Sequence, residues 1–291
     1  MYLISGASGH LGRLTISHLI DTAKVPASQI IATTRKPETL ADLAKRGVSV
    51  RAADFDQPAS LAAAFAGADR ALLISTDAIG RRAEQSATAI AAAKAAGVEH
   101  LLYTSMPAPE TSAVLFAPEH LAAERAIAAS GIAGWTILRN NWYFENLFFV
   151  MPQALASGSW YSAAENGGIA YIARNDLARA AALALATAKG RSTLTLTGAR
   201  SYTTAEIASL VAAATSKPLG VVPVPVDGLI QGMIGAGLPE PVARVFASFD
   251  TATAKGDLAQ VTGDYKTLTG LDPAPLEPWI AANARGLLGQ P

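Results

Sequence analysis

The sequence predicts an α/β fold: a doubly wound parallel sheet with a smaller, mostly helical C-terminal lobe. Three observations predict it. Short apolar runs alternate with longer helical patterns through the first half of the 291 residues. Three of those helical patterns close on a glycine. Near residue 140 the alternation stops and an aromatic-rich segment takes over. Strand–helix alternation at this spacing sets parallel strands side by side, with helices covering both faces.

The apolar runs are "YLI" (2–4), "QIIATT" (29–34), "VSVRAA" (48–53), "RALLIS" (70–75), "HLLYTS" (100–105) and "WTILR" (135–139). They are β-branched or leucine-rich and almost unbroken, as strands buried on both sides should be. Helices are expected near 10–22, 37–46, 58–66, 81–96 and 118–130. Gly47, Gly97 and Gly131 stand where a left-handed C-cap is wanted. After residue 140, "NNWYFENLFFVMPQAL" places five aromatics within 142–149. The sheet pattern returns with a helix at 175–188 and the run "STLTLTG" (192–198). The tail carries "TTAEIASLVAAATSK", a Pro-rich "VVPVPV", a helical "GLIQGMIGAG" and a helix from Pro239 to Ala254. The expected division is a nucleotide-binding domain over 1–140 plus about 173–198, and a smaller substrate lobe over about 141–172 plus 199–291. A ligand cleft is expected between them.

Composition narrows the function classes. Hydrophobic residues make up 51% and charged residues 16%, which describes a well-packed globular chain rather than a disordered one. Lys plus Arg (23) equals Asp plus Glu (23), so the chain lacks the field that gathers nucleic acid or an anionic membrane. The expected partner is a small molecule, with the protein a monomer or homodimer. Cysteine is absent, which excludes disulfides, thiolate catalysis and zinc–thiolate sites. No basic n-region precedes the first apolar run, and the most apolar window (177–189) is too short to span a bilayer. A cytoplasmic location is expected.

"SGASGHLGRL" (5–14) follows the first apolar run and spaces Gly6, Gly9 and Gly12 three apart. Glycine permits a tight turn and close approach of backbone to a pyrophosphate. The helix starting near Gly9 aims free N–H groups and its positive dipole end at the phosphates. Ser8, His10 and Leu11 complete the loop. A glycine triplet alone is weak evidence; its place between the first strand and first helix of an alternating chain is the confirming context for a Rossmann-type dinucleotide site. The second strand ends in "TTRKPE", where a free ribose 2′-OH would call for Asp or Glu. Arg35 and Lys36 stand there instead. Two cations suit a 2′-phosphate, so NADP(H) is preferred over NAD(H). Asp54 and Phe55 end the third strand, where they could meet the adenine; alternatively Asp56 or Gln57 simply opens the next helix near Pro58. Ser75 and Thr76 end the fourth strand, and Ser105 and Met106 end the fifth. Ligands in open α/β sheets sit off such carboxyl ends, although these hydroxyls could instead cap the following turns.

No metal constellation is evident. The four histidines are scattered, and H-E-x-x-H and G-x-S-x-G are both absent. His18 on the first helix and His100 at a strand start read as structural. His10, inside the phosphate loop, could touch the cofactor or simply face solvent. Asp176 reads as a helix anchor.

"ISGASGHLG", "TTRKPE", "YTSM", "APEHLAAERAIAASGIAGWTILRNNWYFEN" and "TGARSYTTAEIA" together resemble atypical short-chain dehydrogenase/reductases of the NmrA-like branch. The likeness runs closest to its bacterial quinone oxidoreductase and triphenylmethane reductase members. It covers almost the whole chain, and "LRNNWYFEN" is its most specific part. It implies an NADPH-dependent reductase passing hydride to a quinone or similar flat electrophile. Two alternatives stay open: a dinucleotide-binding redox sensor without turnover, which this branch also contains, and a reductase of dyes, azo compounds or phenolics.

The common short-chain dehydrogenases use a Tyr-x-x-x-Lys pair. Here the residues four beyond the seven tyrosines are Gly6, Pro107, Leu147, Glu165, Asn175, Glu206 and Thr269, and none is Lys. Where a related reductase group places a Lys, this chain has His120. His120 and Tyr143 are therefore the candidate catalytic residues. Hydride transfer to an electron-poor quinone ring needs positioning more than acid catalysis. Trp142, Tyr143 and Phe144 are candidates for a stacking wall. Asn140, Asn141 and Met106 are further candidate substrate contacts.

Overall fold

The computed structural model describes residues 1–290. β1 (Tyr2–Ile4) leads through the glycine loop into α1 (His10–Asp21). There follow β2 (Ile30–Thr34), α2 (Ala41–Lys45), β3 (Ser49–Ala52), α3 (Pro58–Phe65), β4 (Arg70–Leu73), α4 (Arg82–Ala95), β5 (His100–Ser105), α5 (Ala117–Ala129) and β6 (Gly134–Asn140). The helix expected over 37–46 begins as a 3-10 turn, Pro37–Leu40, before α2. Gly47, Gly97 and Gly131 have φ of 92°, 79° and 73°, the left-handed values wanted at these C-caps.

Beyond β6 come α6 (Leu147–Ser157), β7 (Ser159–Ser162), β8 (Gly168–Ile169), α7 (Arg174–Thr187) and β9 (Arg191–Leu196). The chain continues with β10 (Tyr202–Thr203), α8 (Thr204–Thr215), β11 (Gly220–Pro223), α9 (Val226–Gly235) and α10 (Glu240–Ala254). It closes with α11 (Asp264–Thr269), α12 (Leu276–Ala282) and α13 (Ala284–Leu287).

Seven strands form one parallel sheet in the order β3-β2-β1-β4-β5-β6-β9. The order reverses between β1 and β4, which opens a crevice outside the carboxyl ends of these strands. The two-residue period of a strand sends successive side chains to opposite faces, and the core divides accordingly. Ile4, Ala32, Leu72, Leu102 and Leu138 pack with α1 and α7 on one face. Leu3, Ile31, Leu73, Leu101, Tyr103 and Ile137 pack with α3, α4 and α5 on the other. The apolar window at 177–189 is largely α7, whose Leu177, Ala180, Ala181, Ala184 and Leu185 are buried.

The later segments form a third core in which Phe144, Leu147, Met151, Tyr171, Tyr202, Ile207 and Leu276 converge. They also hold four short strands that the sequence reading did not identify. β7 pairs with β11 in parallel and β8 with β10 antiparallel. Strands of two to four residues from distant segments carry no readable period. Carboxylates tie these segments to the sheet. Buried Asp176 accepts from Tyr265 Oη (3.0 Å) and Ala274 N (2.7 Å), so its carboxylate anchors the tail, while its own helix has no side-chain cap. Asp264 accepts from Thr195 N on β9 (2.7 Å), and Asp257 accepts from Ala113 N (2.8 Å).

Candidate active site

The site begins in the loop from β1 to α1. Gly6 has φ +60°, a conformation that L side chains rarely adopt. A Cβ on Gly12 would lie 2.5 Å from Gly6 O and 2.8 Å from Ala7 Cα, so the helix can sit on the loop only as glycine. Ala7 N donates to Thr33 O (3.0 Å) and Gly9 N to Gly6 O (3.0 Å), which pins the loop to β2. Thr34 Oγ1 donates to Ser8 Oγ (3.0 Å). Along α1, Arg13 N donates to Gly9 O; the N–H groups before it, on the first turn, have no intrahelical acceptor. Gly6, Ser8, Gly9 and His10 are exposed, whereas Leu11 and Gly12 are buried. The cradle is thus backbone, with Leu11 as its apolar footing.

Arg35 and Lys36 follow β2 and are exposed. Neither forms an ion pair among the described residues, unlike Arg13, which is held by Asp42 (2.8 Å). Asp54 is half-buried, and its carboxylate accepts from Asp56 N (3.1 Å) and Gln57 Nε2 (3.0 Å). Gln57 stands at the N-cap of α3, without a side-chain cap hydrogen bond. Phe55 packs part-buried beside it against the α3–α5 face.

At the end of β4, Ser75 N donates to Thr104 Oγ1 (2.9 Å), and Thr76 Oγ1 donates to Gln85 Oε1 (2.6 Å). At the end of β5, Ser105 is buried and donates to Glu124 Oε1 (2.6 Å), and Glu124 is itself gripped by Arg139. Met106 is 2% exposed in a small core with Val114, Ala117, Ala252 and Leu258. The Ser105 hydroxyl thus spends its proton on Glu124, and the Met106 side chain is enclosed by its own small core.

His120 requires a correction. It is 5% exposed, and both ring nitrogens are engaged, Nε2 by Arg82 Nη1 (3.2 Å) and Nδ1 by Tyr103 Oη (3.1 Å). A guanidinium only donates, so Nε2 accepts and Nδ1 carries the proton. Burial, followed by the Arg82 charge, lowers its pKa to about 3. His120 is a neutral internal link, not an acid with a proton to give. Burial likewise pushes the Tyr103 hydroxyl up to about 12.

The segment after β6 divides unequally. Phe144 is 1% exposed and stacks on Trp279 at 5.5 Å, inside the third core and off any ligand wall. Asn141 is hydrogen-bonded at both ends of its amide, with Nδ2 donating to Leu258 O (3.0 Å) and Oδ1 accepting from Trp142 N (2.8 Å). Asn140 differs: it is buried and its Oδ1 has no partner. Tyr143 is part-buried, with Arg174 5.4 Å from its ring centroid. Burial raises its pKa, while an Asn140 hydrogen bond and the Arg174 charge oppose that rise, so it keeps its proton at neutral pH. Trp142 lies edge-to-face with Phe249 at 5.1 Å.

Phe249 belongs to a set that sequence reasoning missed. Phe116 contacts Phe249 at 5.8 Å and Phe246 contacts it at 5.9 Å, so α10 lies over the loop leaving β5. The signal was available: Phe246 and Phe249 stand three apart on an expected helix, hence on one face. Nothing local says which face meets the cleft.

A family model described as the NmrA-like family matches residues 2–287. Quinone oxidoreductase 2 of Escherichia coli is 38% identical over 272 residues, covering 93% of each chain. The NADPH-dependent quinone oxidoreductase of E. coli, solved with NADPH, superposes with TM-score 0.92 at 35% identity, over 97% of this chain and 99% of that one. Citrobacter sp. triphenylmethane reductase, solved with NADP(H), gives 0.89 at 35% identity, over 98% and 100%. The glycine cradle, the doubly wound sheet and these likenesses converge: the chain belongs to the NmrA-like family.

Proposed function

We propose that this chain is an NADPH-dependent reductase that passes hydride to a quinone or a similar flat electrophile. One observation carries the reading: a glycine cradle closed to any Cβ at Gly12 lies beside two cations, Arg35 and Lys36, that no acid of the described residues neutralises. The E. coli relative's action on quinones and its NADPH complex support the same assignment. The first-turn N–H groups of α1 would hold the pyrophosphate and Arg35 and Lys36 the 2′-phosphate, while Asn140, whose buried Oδ1 has no partner, stays a candidate substrate contact. When bound, the cofactor supplies the hydride.

The chain's own residues position and enclose. Trp142 and Tyr143 offer part-buried aromatic faces. No tyrosine carries the Lys partner of the common short-chain dehydrogenases. Quinone reduction tolerates that, because the oxyanion formed is weakly basic and can take its proton from water. In this reading residues 1–140 with 173–198 hold the cofactor, while 141–172 with 199–291 cover the acceptor. The protein works as a monomer or homodimer in the cytoplasm. No helix among the described residues is long and apolar enough to cross a membrane.

The test is loss of NADPH absorbance on addition of a benzoquinone or naphthoquinone, with NADH run alongside. Tight NADPH binding without turnover on any quinone, dye or carbonyl would overturn the reductase reading and leave a cofactor sensor.

A further inference from the structure

Arg82 opens α4, just beyond the end of β4, and is 7% exposed. A buried cation ordinarily sits against a carboxylate. Arg82 forms no ion pair among the described residues. Its Nε donates to Thr76 O (2.7 Å) and its Nη1 to His120 Nε2 (3.2 Å), both neutral acceptors. The adjacent acid is spent elsewhere: Glu119 accepts from the backbone N–H groups of Gly80 and Arg82, each at 3.0 Å. Glu119 and Asp77 therefore reach the guanidinium through the field and not by contact. His120, held neutral and fixed by Tyr103, orients Arg82 without cancelling its charge.

Aromatic rings lead to this cation from the surface. Phe246 is 44% exposed and touches Phe249, which touches Phe116, whose ring lies 4.7 Å from the Arg82 guanidinium carbon. Phe246 is exposed at one end of this run of rings, and the Arg82 cation is buried against Phe116 at the other. It stands off the carboxyl ends of β4 and β5, beside the crevice where the strand order reverses.

Resting on the reductase reading above, we propose that Arg82 is the electrostatic catalytic group for quinone acceptors: the ring lies along Phe249 and Phe116, and its oxygen, gaining negative charge as hydride arrives, faces the Arg82 guanidinium. The balance is simple. A C–H bond of NADPH breaks and its electron pair forms the new bond to the quinone. NADPH becomes NADP+, the quinone becomes the hydroquinone monoanion, and water supplies the proton that completes it. The charge that the common dehydrogenases handle through Tyr and Lys is here met by a fixed buried cation.

The acceptor's charge provides the test. A quinone becomes an anion on taking hydride, whereas a cationic triphenylmethane dye becomes neutral. In Arg82→Gln the ratio of quinone to dye kcat/KM should fall about tenfold or more, with NADPH affinity unchanged. Arg82→Lys, which keeps the charge, should recover much of the ratio. An equal loss on both acceptors, or no loss, overturns the proposal. A second readout needs no turnover: the wild-type chain should bind 2-naphthoate more tightly than neutral 2-naphthamide, a preference that Arg82→Gln erases. If Arg82→Gln does not fold, absence of that preference in the wild type overturns the proposal equally. Wild-type protein inactive on both acceptors but still preferring naphthoate would sink the reductase reading while keeping the anion site.

Discussion

In the nucleotide half of the cleft, contacts are local. Residues 4–12 make the turn, residues 33–36 flank it, and the hydrogen bonds that set it, Ala7 N to Thr33 O and Thr34 Oγ1 to Ser8 Oγ, join adjacent strands. In the proposed acceptor half, Phe116, Trp142 and Phe249 meet from three distant segments, and Arg82 and His120 meet from two helices. The first half is backbone shape with exposed charge. The second is side-chain packing around a buried charge. A site of the first kind is written in a motif; one of the second exists only once the chain has folded.

Substitutions should separate the two halves. Gly12→Val drives a side chain into Gly6 O, and overpacking of this kind costs about 1–3 kcal/mol. NADPH affinity should fall more than tenfold along with stability, measured by cofactor titration and thermal unfolding. Full-affinity binding would show that the loop is not the phosphate cradle.

Acid probes the buried histidines. Burial lowers His100 to about 4 and His120 to about 3, from an ordinary 6.5. Folded values below unfolded ones mean that this stability is fully present above pH 6.5. It is lost as pH falls toward 4 and then 3, because only the unfolded chain takes up these protons. The slope is about 1.4 kcal/mol per pH unit for each histidine. Denaturant unfolding along this range should show it, and His120→Gln should flatten about half of it. An unchanged slope would mean that His120 is not buried neutral.

Arg35→Ala should lower the NADPH-to-NADH affinity ratio about ten- to a hundredfold, since a charge-assisted hydrogen bond contributes about 1.5–3 kcal/mol. A steady ratio would remove Arg35 from the 2′-phosphate. The smallest effect belongs to the acceptor wall. Phe246→Ala should raise KM for a naphthoquinone about two- to tenfold, the scale of one aromatic contact, and leave NADPH binding alone. Altered cofactor binding would place Phe246 on the wrong side of the comparison.

The same contrast explains which expectations matched the molecule. Every strand run of the first half is a strand of the sheet, because two-sided burial leaves a continuous apolar signature. The glycine triplet predicted its own geometry, since a loop this tight tolerates few alternatives. Phe144 and Trp142 stand two residues apart in one aromatic cluster, yet one is sealed in the third core and the other is part-buried between that core and Phe249. Asn140 and Asn141 are neighbours, yet one has a buried Oδ1 without a partner and the other is hydrogen-bonded through both Nδ2 and Oδ1. Residue type does not separate such pairs, because burial is a property of what packs from elsewhere.

By itself, then, the sequence determined the doubly wound sheet, the phosphate loop and the pair of cations after β2, because each rests on backbone geometry or on residue type within a few neighbouring positions. Tertiary structure alone decided that His120 is a neutral link, that Arg82 is buried without a carboxylate, and that α10 brings Phe246 and Phe249 over the loop leaving β5. Those outcomes depend on desolvation and on long-range contacts, and neither exists until the helices have packed.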